Sequence, residues 1–324
     1  MFYHYRKNYR TIKLPYRLLI LFFLKSFALY SQCEYHPLEN EGYMQVWNIE
    51  HHSSRFFLTL TYMISNLGKG DLNNGLTIYL YDKQKKQEYL KTLEYTNKKL
   101  NAVKDKISIQ LENQASITMN HHLLWIRANS SEEEPVFFTE FSIPIDINNQ
   151  NLSIKSSLSI KNNRIFYNFI YLPPQRITFR FNNESYESFG AMGMECLYTE
   201  DSPLSIANSF YFIRNFNYKN KLLTFLINDK TGKIHFNQNN YDITDQNKLS
   251  IEKKFLLENS HCKIESKSFE YLGGFYVLNN VSAILRWFLS LVGIEPYIKH
   301  YKTNLSYDFF DTKEIFPFIQ FTHI

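Results

Sequence analysis

Residues 152–160 read Leu-Ser-Ile-Lys-Ser-Ser-Leu-Ser-Ile. Leu152, Ile154, Leu158 and Ile160 alternate with Ser153, Lys155, Ser157 and Ser159, and Ser156 sits in the apolar register. Side chains two apart share one face of an extended chain, so this segment reads as a half-buried β-strand. Similar runs precede it at 43–50, 56–64, 76–81, 107–111, 122–127 and 136–143. Others follow at 165–172, 176–181, 206–213, 222–228, 232–236, 249–257 and 262–270. Turn chemistry separates them: Asn73-Asn74-Gly75, Asn162-Asn163, Asn182-Asn183 and Asp229-Lys230-Thr231-Gly232 all suit hairpins.

The pattern predicts roughly 15 to 18 strands, and a small closed barrel uses about eight. The expectation is therefore all-β: two antiparallel barrels with one late α-helix. That helix is expected over 281–292, where Ile284, Leu285, Phe288 and Leu291 fall at helical spacing before Gly293 and Pro296. Residues 83–106 read equally as an extended hairpin or a helix. Pro173-Pro174 lies near the middle and is expected to separate a barrel over 33–173 from a second over 174–324.

Residues 1–32 are a segment of a different kind. Arg6, Lys7, Arg10, Lys13, Arg17 and Lys25 occur there with no acidic residue. The run Leu18 to Leu24 is apolar, and Ser26, Ala28 and Ser31 follow. A basic start, a short apolar core and a small-residue exit describe an export signal or an N-terminal anchor. The run is shorter than the ~20 apolar residues a spanning helix needs. The expected location is outside the cytoplasm: periplasmic, associated with the outer membrane, or secreted. Lipidation at Cys33 would give a membrane tether, although Gln32 is large where a small residue is usual.

The chain carries 36 basic and 31 acidic residues, a formal charge of +5. Removing the six basic residues before Cys33 leaves 30 against 31, a charge of −1. A nucleic-acid partner loses its electrostatic basis, because phosphate binding needs a basic field. The cysteines are Cys33, Cys196 and Cys262. With Cys33 lipidated or lost, Cys196–Cys262 is the remaining disulfide. It would close about 65 residues, worth on the order of 4 kcal/mol by loop entropy. Two buried free thiols are the alternative.

The densest chemistry is Trp47-Asn48-Ile49-Glu50-His51-His52. On a strand, Trp47 and His51 face one way while Glu50 and His52 face the other, so the two histidines cannot share a metal. Glu50 and His52 could act as a proton-transfer pair facing a cavity; a solvated strand edge is the structural alternative. Glu195 and Tyr198 follow Gly190 and Gly193, which let backbone approach a ligand or turn a barrel corner. Trp125 belongs to an aromatic population that suits either a core or a ligand cavity. Trp47, Glu50, His52, Trp125, Glu195 and Tyr198 are thus the ligand-binding candidates. No metal or cofactor is expected. The chain has no P-loop, dinucleotide glycine fingerprint, Gly-x-Ser-x-Gly elbow or Cys-x-x-Cys pair.

Glu41 to Trp47, Phe56 to Leu60, Ile64 to Gly70, Gly75 to Tyr81, Phe179 to Phe181 and Phe189 to Tyr198 come in an order that resembles the two-barrel lipocalin-like superfamily. Its members include AttH-like proteins, hydroxyneurosporene synthase relatives and fungal cyclases of the Diels–Alderase type. The resemblance implies an apolar small-molecule partner, a lipid or isoprenoid, held in a barrel cavity. Some members hydrate or cyclise such molecules. The His-x-Trp element of the carotenoid hydratase branch is missing from the second half, so no catalytic residue carries over. Three readings remain open: a binding protein, a hydratase, cyclase or isomerase, and a non-enzymatic surface interaction protein with filled interiors.

Overall fold

The computed structural model describes residues 33–38, 42–66, 73–95, 100–104, 106–120, 122–130, 136–145, 153–160, 163–200, 210–215, 222–227, 231–236, 239–243, 248–250, 256–258, 262–276, 297–309 and 312–323. The expected signal over 1–32 and the expected helix over 281–292 lie outside these residues.

The described residues form two antiparallel sheets. The first comprises β1 (Met44–Ser53), β2 (Phe56–Ser65), β3 (Asn73–Asp82), β4 (Gln87–Tyr95), β5 (Leu100–Ala102), β6 (Ser108–Leu111), β7 (Ala115–Met119), β8 (Leu123–Asn129), β9 (Phe137–Pro144), β10 (Ser153–Ile160), β11 (Asn163–Phe181) and β12 (Glu184–Thr199). Its order is β4-β3-β2-β1-β12-β11-β9-β8-β7-β6-β5, with β10 paired to β11. The second comprises β13 (Phe210–Asn215), β14 (Leu222–Ile227), β15 (Thr231–Phe236), β16 (Asn239–Ile243), β17 (Lys248–Ser250), β18 (Leu256–Glu258), β19 (Cys262–Tyr276), β20 (Tyr297–Phe309) and β21 (Thr312–His323). It runs β16-β15-β14-β13-β21-β20-β19-β18-β17. Within the ambiguous stretch 83–106 the described residues are strand at Gln87–Tyr95 and Leu100–Ala102, where β4 pairs with β3 and β5 with β6.

The first sheet curls around one core. Trp47, Ile49, Leu58, Leu60, Tyr62, Ile78, Ile117, Ile126, Phe137 and Phe179 all belong to one buried cluster. These residues come from strands far apart in the sheet, which a flat sheet could not bring together. Tyr62 on β2 donates to the Ser116 carbonyl at 3.1 Å and the Arg127 carbonyl at 2.6 Å, on β7 and β8. Tyr89 on β4 meets Ser130 at 3.3 Å and the Phe137 ring at 6.5 Å.

Two sequence expectations need correction. Pro173-Pro174 does not separate two units, because it lies inside β11, where the pairing with β12 shifts register between Leu172 and Gln175. Proline has no N–H to give the ladder and is tolerated at such an irregularity. The bend lets the first half of β11 pair with β10 and its end with β9. The passage from the first sheet to the second falls between β12 and β13. Next, Cys196 is bonded to Cys33 rather than Cys262. Cys196 faces the inside of the curl opposite Trp47, and the Trp47 indole Nε1 donates to the Cys33 carbonyl at 2.7 Å. That bond carries Cys33 into the core, where it is 2% exposed.

Candidate functional site

β1 sorts its side chains by parity. Trp47, Ile49 and His51 point into the curl. Asn48, Glu50 and His52 point to the outer face, yet Asn48 is half-buried, His52 is buried and Glu50 is 0% exposed. The reason is the second sheet: β13, β19 and β20 cover the outer face of β1, β2, β3, β11 and β12. The site therefore lies in the seam between the sheets.

Register brings the acidic residues together. Asn48 is opposite Glu195, and Glu50 is opposite Gly193. The Asn48 amide donates to Glu50 Oε1 at 2.7 Å and to Glu195 Oε2 at 2.9 Å, while the Thr61 hydroxyl donates to Asn48 Oδ1 at 2.9 Å. Gly190 lets β12 run close to β1, since a Cβ there would collide with the His52 carbonyl. From the second sheet, Arg214 enters between the two carboxylates. Its Nη1 lies 3.4 Å from both Glu50 oxygens, its Nη2 pairs with Glu195, and its Nε donates to the Tyr167 hydroxyl at 3.1 Å. Tyr167 in turn donates to Glu195. His52 Nε2 stands 3.7 Å from Glu50 Oε2.

Aromatic rings line the rest. Phe212 stacks on Tyr167 at 5.0 Å, and Arg214 lies 5.8 Å above both Phe169 and Phe212. Tyr171 meets Phe169 edge-on at 4.8 Å. Farther along, His300 packs 4.9 Å from Phe57 and 5.9 Å from Tyr79, and Phe57 sits 4.6 Å from His52. The Tyr79 hydroxyl reaches the Leu272 carbonyl at 3.4 Å.

The electrostatics follow from burial. Two carboxylates and one guanidinium carry a net charge of −1 if all are ionised. Burial pushes the Glu195 carboxyl upward; Arg214 opposes this, and the Glu50 charge reinforces it. Burial works against the charge on Arg214, but Glu195 and Glu50 outweigh it and hold the guanidinium protonated. Tyr167 is pushed far up by burial and stays a hydroxyl donor. Burial drives His300 well below its usual value, with Arg214 and His52 adding to the effect, so it is neutral. The seam thus holds a carboxyl whose proton affinity burial raises, next to a fixed cation and among aromatic faces. Such a carboxyl can donate a proton or a strong hydrogen bond.

Of the six candidates from sequence, Glu50, His52 and Glu195 meet here. Trp47 and Tyr198 do not: both are buried inside the curl, Tyr198 with Tyr43 at 5.7 Å and Phe166 at 5.6 Å. Trp125 faces outward from β8, away from the seam. Sequence reasoning missed Arg214, Tyr167 and Asn48. Arg214 had a signal: it shares strand parity with Phe212 in an otherwise apolar run, Phe210 to Ile213. His122 is exposed, and His121 lies outside the described residues.

No protein-family model and no curated protein matches the sequence. Among solved structures, the crystal structure of CghA covers 87% of this chain and 88% of its own, at 6% identity and a TM-score of 0.45. The crystal structure of a putative AttH from Nitrosomonas europaea covers 87% of this chain and 92% of its own, at 8% identity and a TM-score of 0.55. This second likeness is one of fold.

Proposed function

We propose that this is an exported lipocalin-like protein that holds an apolar small molecule, a lipid or isoprenoid with a polar group, in the seam between its two sheets. The observation that carries the reading is the convergence of Glu50, His52 and Glu195 around Arg214 within an aromatic lining. Ligand sites combine apolar walls with a few convergent polar groups, and the seam has both.

The Cys33–Cys196 bond supports export, since stable disulfides belong to oxidising compartments. It also bears on the tether. A sulfur joined to Cys196 cannot carry a thioether lipid, so any membrane attachment would run through the uncleaved N-terminal segment.

A second reading makes the seam catalytic, in a hydratase, cyclase or isomerase. The raised Glu195 carboxyl beside Arg214 favours it, as a proton donor whose conjugate base the guanidinium stabilises. Glu50 with His52 would receive the proton.

Native mass spectrometry of the exported protein, purified without detergent and followed by organic extraction, tests both. A co-purifying apolar molecule near one-to-one stoichiometry is expected. Turnover of that molecule that is lost in Glu195→Gln, with retention kept, would mark the enzyme. A clean apo mass would overturn both readings and leave the seam as a clasp in a surface interaction protein.

A further inference from the structure

The outer face of β5 to β8 carries a hollow of about 170 Å³, remote from the seam. Its floor follows from strand register. Arg127 is opposite Ser116, Ser116 opposite Gln110, and Gln110 opposite Asn101. One step along, Trp125 is opposite Thr118. Trp125 and Arg127 are two apart on β8 and so share this face. The single large ring is therefore set in a field of amide, hydroxyl and guanidinium groups, unlike the ring-lined seam.

The lining chooses among ligand classes. Drug-sized apolar pockets run to about 300–1,000 Å³, so this hollow takes something smaller, and its polar floor would leave an apolar guest surrounded by unpaired donors. The Nε of Arg127 is buried and has no hydrogen-bond partner among the described residues. Buried donors are rarely left so, and this one lacks an acceptor among the described residues. Arg127 is balanced by Glu112, which also lines the hollow, so the site has no excess positive charge for a phosphate. An aromatic face with fixed amides and hydroxyls suits a small ring that is apolar on its faces and hydroxylated around its rim.

We propose that this hollow is a saccharide-binding site for a single pyranose unit. Trp125 stacks on the apolar face of the ring. Asn101 and Gln110 hydrogen-bond its hydroxyls, and Arg127 Nε donates to a ring substituent or hydroxyl oxygen. This assignment is independent of the seam and of any ligand held there.

The test is saturation-transfer NMR and tryptophan fluorescence on the full chain with glucose, galactose, mannose, N-acetylglucosamine and galacturonate. Saturable binding of at least one sugar is expected. Trp125→Ala should weaken it about tenfold or more, Trp125→Phe less, and neither should alter the thermal midpoint greatly on this outward face. Loss of binding in Arg127→Gln with galacturonate alone would assign the acceptor to the carboxylate; loss with neutral sugars would assign it to a hydroxyl. Either result upholds the site. No saturable binding by any of the five, or binding unchanged in Trp125→Ala, overturns it.

Discussion

The two faces of β1 are differently built, although Glu50 and His52 on one are as buried as Trp47 and Ile49 on the other. Inside the curl, Trp47 and Ile49 sit in an apolar core pinned by the Cys33–Cys196 bond. On the seam, Asn48, Glu50 and His52 meet Glu195 and Arg214. Ordinary cores hide polar groups only when they are paired. Asn48, Glu50 and Glu195 meet that condition through cross-strand register and one arginine from the second sheet. The inside face accounts for stability of the first sheet. The outer face holds titratable groups in a dry setting, which is costly unless the whole set stays matched.

The sharpest break in this contrast should come at the inside face. Cys33→Ser with Cys196→Ser releases a bond between residues 163 apart. Loop entropy then predicts a loss of about 5 kcal/mol, read by urea unfolding under non-reducing conditions. A loss near zero would mean that the curl is closed by packing alone.

The seam should respond to mismatch rather than to removal. Arg214→Met leaves Glu50 and Glu195 buried without their cation, at a cost of about 3–5 kcal/mol. Adding Glu50→Gln and Glu195→Gln to the same chain should recover most of that loss, because no unmatched charge remains. Equal destabilisation of the single and triple variants would show that Arg214 acts by packing.

Acid should probe both faces through histidine. Burial, aided by His52 and Lys83, pushes His51 from 6.5 down to about 3. The unfolded chain therefore binds a proton between these values that the folded chain does not, and stability falls as pH falls through this window. The slope is about 1.4 kcal/mol per pH unit for one such group. His300 acts in the same direction. Glu195 has the opposite sign: its raised value favours the fold at low pH, an advantage lost as pH rises past its unfolded value. His51→Gln should take up about one proton fewer on unfolding near pH 5, and unfolding curves at several pH values check this. The smallest effect is expected from Tyr62→Phe, which removes donation to Ser116 and Arg127 across the curl and should cost about 1 kcal/mol.

Much of this was legible in the sequence, for a local reason. A period of two fixes which side chains share a face, so 152–160 and 56–64 read as strands, and Glu50 with His52 could be set apart from Trp47 and His51. What lay beyond reach was non-local. Nothing in β1 says that its polar face is covered, since exposure and a second sheet leave the same alternation. Arg214 gains its role only when β13 crosses β1 and β12, 164 residues from Glu50. Three cysteines allow several pairings, and the choice of Cys33 depends on where Trp47 draws the chain. Pro173-Pro174 looked like a boundary because proline ends ladders, but one register shift absorbs both residues within β11.

The central claim is that the seam face of β1 carries the ligand and the inside face carries stability. One substitution on each face tests it: Glu195→Gln, which mimics the protonated carboxyl, and Trp47→Phe, which removes the donor to Cys33. Both are measured for unfolding free energy and for the molecule retained in detergent-free native mass spectra. Glu195→Gln should cost no more than the unmatched Arg214→Met variant, about 3–5 kcal/mol, while changing the occupancy or chemical state of that molecule in the protein that remains folded. Trp47→Phe should lower stability by about 1–3 kcal/mol and leave the molecule unchanged. The reverse pattern, with ligand lost at Trp47 and indifferent to Glu195 while both proteins remain folded, would contradict the account.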